Sequence, residues 1–112
     1  MTDQTYGPEE HKEVGLKFDD NKLRWDLLPI KELEQVVEVI THGCQKYGPN
    51  NWKSVKPFND RYFAALMRHL VAWRGGENID PDSKLHHLSH AACNILFLLW
   101  GNARGRQDGI KI

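Results

Sequence analysis

Apolar residues recur at intervals of three and four positions between Pro29 and Gly48. This spacing places them on one face of an α-helix, because successive helical residues turn by about 100°. The predicted helix ends at Gly48-Pro49, since glycine tolerates the backbone conformation that follows a last helical turn. Its apolar face comprises Leu33, Val36, Val37, Ile40, Cys44 and Tyr47. A polar stripe beside that face comprises Glu34, Glu38, Thr41 and Gln45.

The same spacing predicts a second helix over residues 61–74. Asn59 or Asp60 can cap its start, because both side chains accept hydrogen bonds from the first free backbone N–H groups. His69 is expected at the boundary of the apolar face, whereas Arg68 is expected to point away from it. The apolar face comprises Phe63, Leu66, Leu70 and Trp73.

A third helix is predicted from Asp80-Pro81, a cap followed by proline at the first helical position, to about Trp100. Gly101 and Gly105 are expected to end it. Residues 95–100 are apolar on all sides, which predicts a central buried helix or a subunit interface. The apolar face comprises Leu85, Leu88, Ala92, Ile95 and Leu99. A neighbouring polar stripe comprises His87, His90 and Asn94.

Two segments precede the first predicted helix. In residues 15–29 apolar and charged residues alternate, which predicts an ordered segment lying over a surface with its apolar side chains inward. Residues 1–14 are polar without a period and are interpreted as a mobile arm, leaving residues 15–112 as one helical domain. The sequence contains no hairpin signal, so the predicted fold is all-α. Three short helices bury only part of their apolar faces, and we expect a small bundle completed by homo-oligomerisation.

Composition narrows the range of functions. The chain has 112 residues, and its 15 basic residues balance 15 acidic ones, which excludes a net positive field that would hold duplex nucleic acid. The longest apolar run is far shorter than the roughly 20 residues needed to span a bilayer, and the polar start lacks a signal peptide. We therefore expect a cytoplasmic protein without a membrane partner. Cys44 and Cys93 lack C-x-x-C spacing and are predicted to be free thiols.

Two sets of polar residues are candidates for chemistry. Glu34 and Glu38 lie one helical turn apart, as in divalent-metal sites of helical bundles, although a solvated helix face has the same spacing. His87 and His90 can offer imidazole nitrogens to a metal ion or phosphate, and Asn94 adds an amide. A structural hydrogen-bond network is the alternative. We expect these two sets to face each other across one pocket, with a divalent cation and a phosphate-bearing ligand between them.

The phosphates of such a ligand require cationic side chains, and its base requires an aromatic side chain on which it can stack. Lysine and arginine side chains can anchor phosphates, and tryptophan can stack on a base, although each could instead be surface charge or core. The spacing Glu77-x-x-Asp80 is that of an acidic metal motif, but Asp80 precedes Pro81 and is interpreted as a helix cap. The predicted substrate-binding residues are Lys17, Arg24, Trp25, Lys46, Asn51, Trp52 and His69.

Three stretches together resemble a known family. They read GLKFDDNKLRWDLLP at 15–29, THGCQKYGPNNW at 41–52 and RHLVAWRGGENIDPDSKLHHLSHAACNILFLL at 68–99. They look like the small phage-encoded proteins grouped with dATP/dGTP diphosphohydrolases, relatives of the MazG-like all-α nucleoside triphosphate pyrophosphohydrolases. The resemblance implies that a (deoxy)nucleoside triphosphate, expected to be a purine, is hydrolysed to monophosphate and pyrophosphate with Mg²⁺ or Mn²⁺ in the host cytoplasm.

MazG-like enzymes hold their metal with an E-E-x-x-E motif and a later E-x-x-D motif. Here the first motif keeps Glu34 and Glu38 but has Gln35 as its middle member. If the later motif is matched to HAACN, its first acidic position is His90 and its last is Asn94. Fewer carboxylates should weaken Mg²⁺ binding, because this hard cation prefers oxygen ligands.

The resemblance assigns catalytic roles to Glu34, Glu38 and His90. The two glutamates would hold cations that activate a water for attack on the α-phosphorus, and His90 or Glu38 would orient that water. Two other hypotheses stay open. A catalytically inactive phage protein that sequesters a nucleotide or a nucleotide signal would keep the pocket, and a structural helical protein would bind neither metal nor nucleotide.

Overall fold

The computed structural model describes Leu16 and residues 20–105. The predicted arm at residues 1–14 lies outside this part of the chain. The described residues form the helices α1 (Ile30–Tyr47), α2 (Phe58–Arg74) and α3 (His87–Ala103), and two 3₁₀ turns at Trp25–Leu27 and Asn51–Ser54. Their β structure is limited to one isolated bridge between Ile79 and His86. The all-α prediction is therefore confirmed.

Helix α3 is the central element, because it packs against both α1 and α2. Val36 and Val39 of α1 are buried against Cys93 of α3, and Ile40 joins the same cluster. The predicted start and end of α1 are confirmed, and Gly48 ends it with a φ of 94°. Among the residues that the structure covers, no helix is long and apolar enough to cross a membrane.

Helix α2 begins at Phe58, three residues earlier than predicted. Asn59 and Asp60 therefore lie in its first turn and do not cap it, and Pro57 holds the cap position. Phe58 is fully buried. Burial of a phenylalanine side chain stabilises a fold by about 1.5–3 kcal/mol, more than the roughly 1 kcal/mol of a typical cap, which accounts for the earlier start.

Helix α3 begins at His87, not at Pro81 as predicted. Asp80 does act as a cap, but of a single turn: its Oδ2 accepts hydrogen bonds from the backbone N–H (3.2 Å) and the Oγ (2.8 Å) of Ser83. Lys84 then has a φ of 67°, outside the right-handed helical region, which interrupts the helix. The new start is capped by His86, whose Nδ1 accepts a hydrogen bond from the Leu88 N–H at 3.0 Å.

Gly101 was predicted to end α3, but it lies inside the helix and is buried. The helix continues to Ala103. The ring of Phe58 from α2 rests against this glycine, so a Cβ placed there would approach two ring carbons to 2.9 Å and a third even more closely. Gly101 is therefore a site of close helix contact.

Most of the predicted apolar face of α3 is not buried within the single chain. Leu88, Ile95 and Leu99 are exposed, with 52% of Ile95 accessible, whereas His87 and Asn94 of the polar stripe are buried. On α2, Phe63 and Met67 are also exposed. Small or polar residues at the helix contacts account for this, because they let the backbones approach closely. The outer apolar surface is defined here as Phe63, Met67, Leu88, Ile95 and Leu99.

The described residues of the segment before α1 do not bury their apolar side chains, contrary to prediction. Leu23 is 80% exposed and Trp25 is 68% exposed. Arg24 forms two 2.8 Å hydrogen bonds with Asp26, and both side chains are exposed. A three-residue 3₁₀ turn offers too little surface to hold a tryptophan against a helix without a further covering element.

Candidate functional site

A cleft of about 690 Å³ opens where the end of α1 and the 3₁₀ turn Asn51–Ser54 meet α2 and α3. Its volume is typical of a small-molecule site. Asp80 and Asp82 contribute acidic side chains to it. Its cationic side chains are Lys46, Arg61 and Arg68.

Helix α2 carries both arginines, and their spacing directs both toward the cleft. Arg61 and Arg68 lie seven residues apart, hence on one face of the helix, and Ala65 lies between them on the same face. The small alanine leaves space between the two guanidinium groups. Arg61 Nη1 also donates a hydrogen bond to the Lys56 carbonyl oxygen at 3.2 Å. Two guanidinium groups beside an open volume suit an anion with several oxygens, such as a polyphosphate.

Two histidine rings stack in the cleft. The rings of His69 and His90 lie 4.3 Å apart between centroids and 5° from parallel. The pKa of His90 is lowered to about 4, mainly by burial and secondly by the nearby His69. Burial, followed by the nearby His87, also lowers the pKa of His69. Both rings are therefore neutral near pH 7, and each carries a lone pair on one nitrogen.

Hydrogen bonds fix the tautomer of His90. Ser83 has one hydroxyl hydrogen, which it donates to Asp80 Oδ2 at 2.8 Å. The 2.7 Å bond between Ser83 Oγ and His90 Nε2 therefore has His90 as donor. Burial alone would raise the pKa of Asp80, but hydrogen bonds from Ser83 and from the Asp82 backbone, together with the nearby His90, leave that pKa below its usual value. Asp80 thus stays an ionised acceptor, and the lone pair of His90 lies on Nδ1.

A second chain of hydrogen bonds joins Glu77, His87 and His69. Glu77 Oε1 lies 2.7 Å from His87 Nε2, and His87 Nδ1 lies 2.9 Å from His69 Nδ1. His87 is buried and does not line the cleft, whereas His69 does. The Gly75-Gly76 turn positions Glu77, whose backbone N–H donates to the Ala72 carbonyl oxygen at 3.0 Å. We call this arrangement the Glu77–His87–His69 chain.

Aromatic side chains form another wall. Trp52 stacks on Phe97 with centroids 4.0 Å apart and an angle of 5°. Tyr62 donates its hydroxyl to the Trp52 carbonyl oxygen at 2.8 Å, and burial raises the pKa of Tyr62 to about 12. Since Phe97 already covers one face of Trp52 and Lys53 Nζ lies 5.5 Å from its centroid, the indole mainly holds the 3₁₀ turn in place.

The structure brings together part of the predicted site. The predicted residues that line the cleft are Lys46, Asn51, Trp52, His69, His90 and Asn94. Arg24 and Trp25 lie on the exposed segment before α1 and do not line it, and Lys17 lies outside the described residues. Glu34 and Glu38 are exposed on α1 and do not line it either.

The predicted opposition of an acidic row and a histidine row is therefore not formed within one chain. The position of the first motif nearest α3 is Gln35, which accepts a long 3.5 Å hydrogen bond from Ser89. Both ring nitrogens of His87 are engaged by protein groups, which leaves no lone pair for a metal ion. The assignment of Glu34 and Glu38 as metal ligands stays a prediction.

The donor set of the cleft does not fit a metal ion held by the protein alone. In the described part of the chain, no group of three or more His, Cys, Asp or Glu side chains is arranged to hold one. One of the two acidic side chains in the cleft, Asp80, is engaged by Ser83. Mg²⁺ prefers an octahedron of oxygens, which this cleft does not provide without water or substrate oxygens.

Four residues of the site were not predicted from the sequence: Glu77, Ser83, Arg61 and Arg68. The arginines could have been found, since Arg61, Ala65 and Arg68 have the spacing of one helical face. The Glu77-x-x-Asp80 spacing marks Glu77 but does not connect it to His87, and no sequence signal identifies Ser83. The loop that carries both residues reaches α3 only through its folded path.

Acidification should destabilise the fold through His90. Its pKa is lowered from 6.5 to about 4 in the folded chain, so the folded state binds fewer protons than the unfolded state between these values. The stabilisation is fully present above pH 6.5 and is lost as pH falls toward 4. We expect a loss on the order of 1–2 kcal/mol once partial solvent screening is allowed for. Urea unfolding at pH 7.5, 6.5, 5.5 and 4.5 measures it.

The variant His90→Gln supplies the comparison for this pH series. Glutamine does not titrate in this range, so the free energy of unfolding of the variant should fall less steeply between pH 6.5 and 4.5 than that of the wild-type protein. Equal slopes for both proteins would show that His90 does not carry the effect.

Comparison with known proteins finds a family model and a curated relative that match most of this chain. The family described as dATP/dGTP diphosphohydrolase, N-terminal, matches residues 12–109. A dATP/dGTP diphosphohydrolase of Salmonella phage PMBT28 is 35% identical over 87 residues, which are 78% of this chain and 29% of that protein. The chain therefore spans less than a third of the length of this curated relative. No solved structure matches the chain significantly.

Proposed function

Because the chain belongs to the dATP/dGTP diphosphohydrolase N-terminal family, we propose that it hydrolyses a purine deoxynucleoside triphosphate to the monophosphate and pyrophosphate. The observation that supports this proposal is the cleft, which combines three cationic side chains with two stacked neutral histidines. Cations suit a triphosphate, and a neutral imidazole can accept a proton from water at neutral pH.

The cationic side chains bind the phosphates in this proposal. Arg61 and Arg68 contact the triphosphate oxygens, and Lys46 neutralises charge from the opposite helix. Charge accumulates on the pyrophosphate as its bond to the α-phosphorus breaks. Preorganised cations stabilise that charge, which lowers the barrier without any covalent chemistry on the protein.

His69 is the proposed general base. A water oxygen attacks the α-phosphorus, its proton passes to His69 Nε2, and the bond to the pyrophosphate oxygen breaks with its electron pair. The lone pair of Nε2 is available because the other ring nitrogen, Nδ1, is engaged by His87. His90, stacked on His69, keeps that ring in place.

We treat the divalent ion as part of the substrate. Nucleoside triphosphates bind Mg²⁺ through their own phosphates, and proteins commonly add only one or two carboxylates to such a complex. Asp82 lines the cleft and is the carboxylate proposed for that contact. Mn²⁺ should replace Mg²⁺, since both accept oxygen ligands in octahedral geometry.

A substrate panel tests the proposal. Purified protein is incubated with each deoxynucleoside and ribonucleoside triphosphate, with Mg²⁺, Mn²⁺ or excess chelator, and released pyrophosphate is measured. We expect the highest rates for dATP and dGTP with a divalent ion. Arg68→Gln should raise KM about 10-fold or more, because a charged hydrogen bond contributes about 1.5–3 kcal/mol. Arg74→Gln, which removes the same charge outside the cleft, should leave KM unchanged.

A nucleotide-binding protein without turnover is the second candidate. The absence of a preformed metal-holding group among the described residues favours it, since the MazG-like resemblance implies acidic ligands. Calorimetric binding of dATP or dGTP without pyrophosphate release from any nucleotide would support this candidate and reject the hydrolase.

We also propose that the chain self-associates through the outer apolar surface. Five large apolar side chains exposed on adjacent helices are unfavourable in water. Ile95→Glu should therefore lower the molar mass measured by light scattering to that of a monomer. Leu23→Glu places the same charge on another exposed apolar residue, which lies outside this surface, and should leave the mass unchanged. A wild-type protein that is monomeric at millimolar concentration would contradict self-association.

A further inference from the structure

We propose that Glu77 is a positioning residue, which acts through the buried His87 to fix the tautomer of His69 and keep its Nε2 lone pair toward the cleft. The role as positioning residue for hydrolysis rests on the proposed function. The tautomer itself does not, because it follows from the hydrogen bonds of the Glu77–His87–His69 chain and can be measured without substrate.

The direction of each hydrogen bond follows from the carboxylate at one end. A carboxylate only accepts, so His87 must carry its proton on Nε2, 2.7 Å from Glu77 Oε1. In the neutral ring His87 Nδ1 then holds a lone pair. The 2.9 Å contact between the two Nδ1 atoms contains one proton, which must therefore belong to His69. The second nitrogen of His69, Nε2, is left as an acceptor.

This arrangement also provides a path for charge. When His69 Nε2 takes a proton from water, an O–H bond breaks and an N–H bond forms. The Nδ1–H bond of His69 can then break as a new one forms on His87 Nδ1, so His87 becomes the cation. That cation lies against the Glu77 carboxylate. An imidazolium beside a carboxylate is stabilised in a partly buried site, as in the Ser-His-Asp arrangement.

The neighbouring chain from Asp80 does not offer the same path. It reaches His90 through the Ser83 hydroxyl, which already donates its hydrogen to Asp80. Asp80 therefore orients His90 without an imidazole between them. The other charged and titratable groups that influence these rings are Arg68 on α2, Asp80 in the loop and His42 on α1.

The surroundings of Glu77 make it suitable for substitution. Its side chain is 53% exposed, whereas that of His87 is only 5% exposed. A longer side chain at position 77 has solvent to enter. Lysine there has donors and no acceptor, so His87 Nε2 would have to become an acceptor. The proton between the two Nδ1 atoms would then belong to His87, and His69 Nε2 would carry a hydrogen.

Long-range ¹H–¹⁵N correlation spectra of the imidazole rings at pH 7.5 test this inference. In the wild-type protein we expect His69 to be protonated on Nδ1 and His87 on Nε2. Glu77→Gln retains a carbonyl acceptor and should retain both tautomers. Glu77→Lys should invert both tautomers. The ¹⁵N chemical shift of His69 Nε2 should then change from the value of a pyridine-like nitrogen to that of a pyrrole-like nitrogen. Glu32→Lys, the same charge change in the first turn of α1, should invert neither.

Kinetics supply the second readout. With the best substrate of the panel, Glu77→Lys should lower kcat about 10²–10⁴-fold with little change in KM, because it removes the base and not the phosphate contacts. Glu77→Gln should lower kcat less, since the tautomer is kept and only the charge is lost. Glu32→Lys should retain wild-type kcat.

The outcomes separate this inference from the proposed function. Wild-type His69 protonated on Nε2 at pH 7.5 would overturn the inference, and so would unchanged tautomers in a folded Glu77→Lys protein. If that variant does not fold, the wild-type and Glu77→Gln spectra still decide the direction of the bonds. Failure to hydrolyse any nucleotide, with the expected tautomers, would reject the proposed function alone.

Discussion

The variant His69→Asn should lower kcat for triphosphate hydrolysis by about 10²–10⁴-fold, the contribution of a general base. In the wild-type protein His69 Nδ1 lies 2.9 Å from His87 Nδ1. The asparagine side chain reaches the place of His69 Nδ1 and can still donate a hydrogen bond to His87. It has no atom at the place of Nε2, which takes the proton from water. The substitution therefore removes the base and keeps its support. Steady-state pyrophosphate release over a substrate series measures kcat and KM separately.

The control for this variant is His86→Asn. His86 caps α3 through its Nδ1 and does not line the cleft. Asparagine is also a good cap, so both the fold and kcat should be retained. KM should change little in His69→Asn, because the arginines hold the phosphates. A His69→Asn protein with wild-type kcat would exclude His69 as the base and leave His90 and His42 as the remaining imidazoles in the cleft.

The periodicity of the sequence predicted the existence and order of the helices because it records which residues avoid water. The boundaries of α1 were predicted well, since Gly48 adopts a backbone conformation that favours glycine. The start of α3 was wrong because a single residue, Lys84, adopts a positive φ. No propensity scale assigns that conformation to lysine. Lys84 lies in the loop that the bridge between Ile79 and His86 closes.

The face of α3 was predicted less well than its length. Periodicity identifies the most hydrophobic side, but Leu88 and Ile95 lie outside the chain's own core, while His87 and Asn94 lie within it. Close packing between helices selects small or hydrogen-bonded residues, and this selection does not show in a hydrophobic pattern. An apolar side that one chain does not bury is expected where a second copy is part of the fold.

The site was predicted in its residue types more than in its geometry. Sequence reasoning selected His69 and His90, because polar residues beside an apolar face must find partners. It could not select the partners, since Glu77 and Ser83 reach the histidines through a loop whose path depends on tertiary contacts. It placed Glu34 and Glu38 on the right helix but in the wrong relation to the cleft, because adjacent positions on a helix differ by about 100° in direction.

The close contact at Gly101 makes a strong prediction about stability. The ring of Phe58 is fully buried and lies where a Cβ at position 101 would be placed. The ring is enclosed by Tyr62 at 4.9 Å and Trp100 at 6.0 Å between centroids, so it cannot move aside without disturbing the aromatic wall of the cleft. Overpacking of this kind costs about 1–3 kcal/mol.

Gly101→Ala should therefore lower the free energy of unfolding by about 1–3 kcal/mol, even though alanine is the better helix former. Gly43→Ala is the matched control, because Gly43 also lies inside a helix but has no atom within 4 Å of the new Cβ. That variant should gain about 0.5–1 kcal/mol. Urea unfolding at pH 7.5 measures both. Phe58→Leu should remove the overlap, so the double variant with Gly101→Ala should lose less than the sum of the two single losses. If Gly101→Ala matches Gly43→Ala in stability, the helices do not meet at this glycine, and the orientation of α2 that places its arginines in the cleft is wrong.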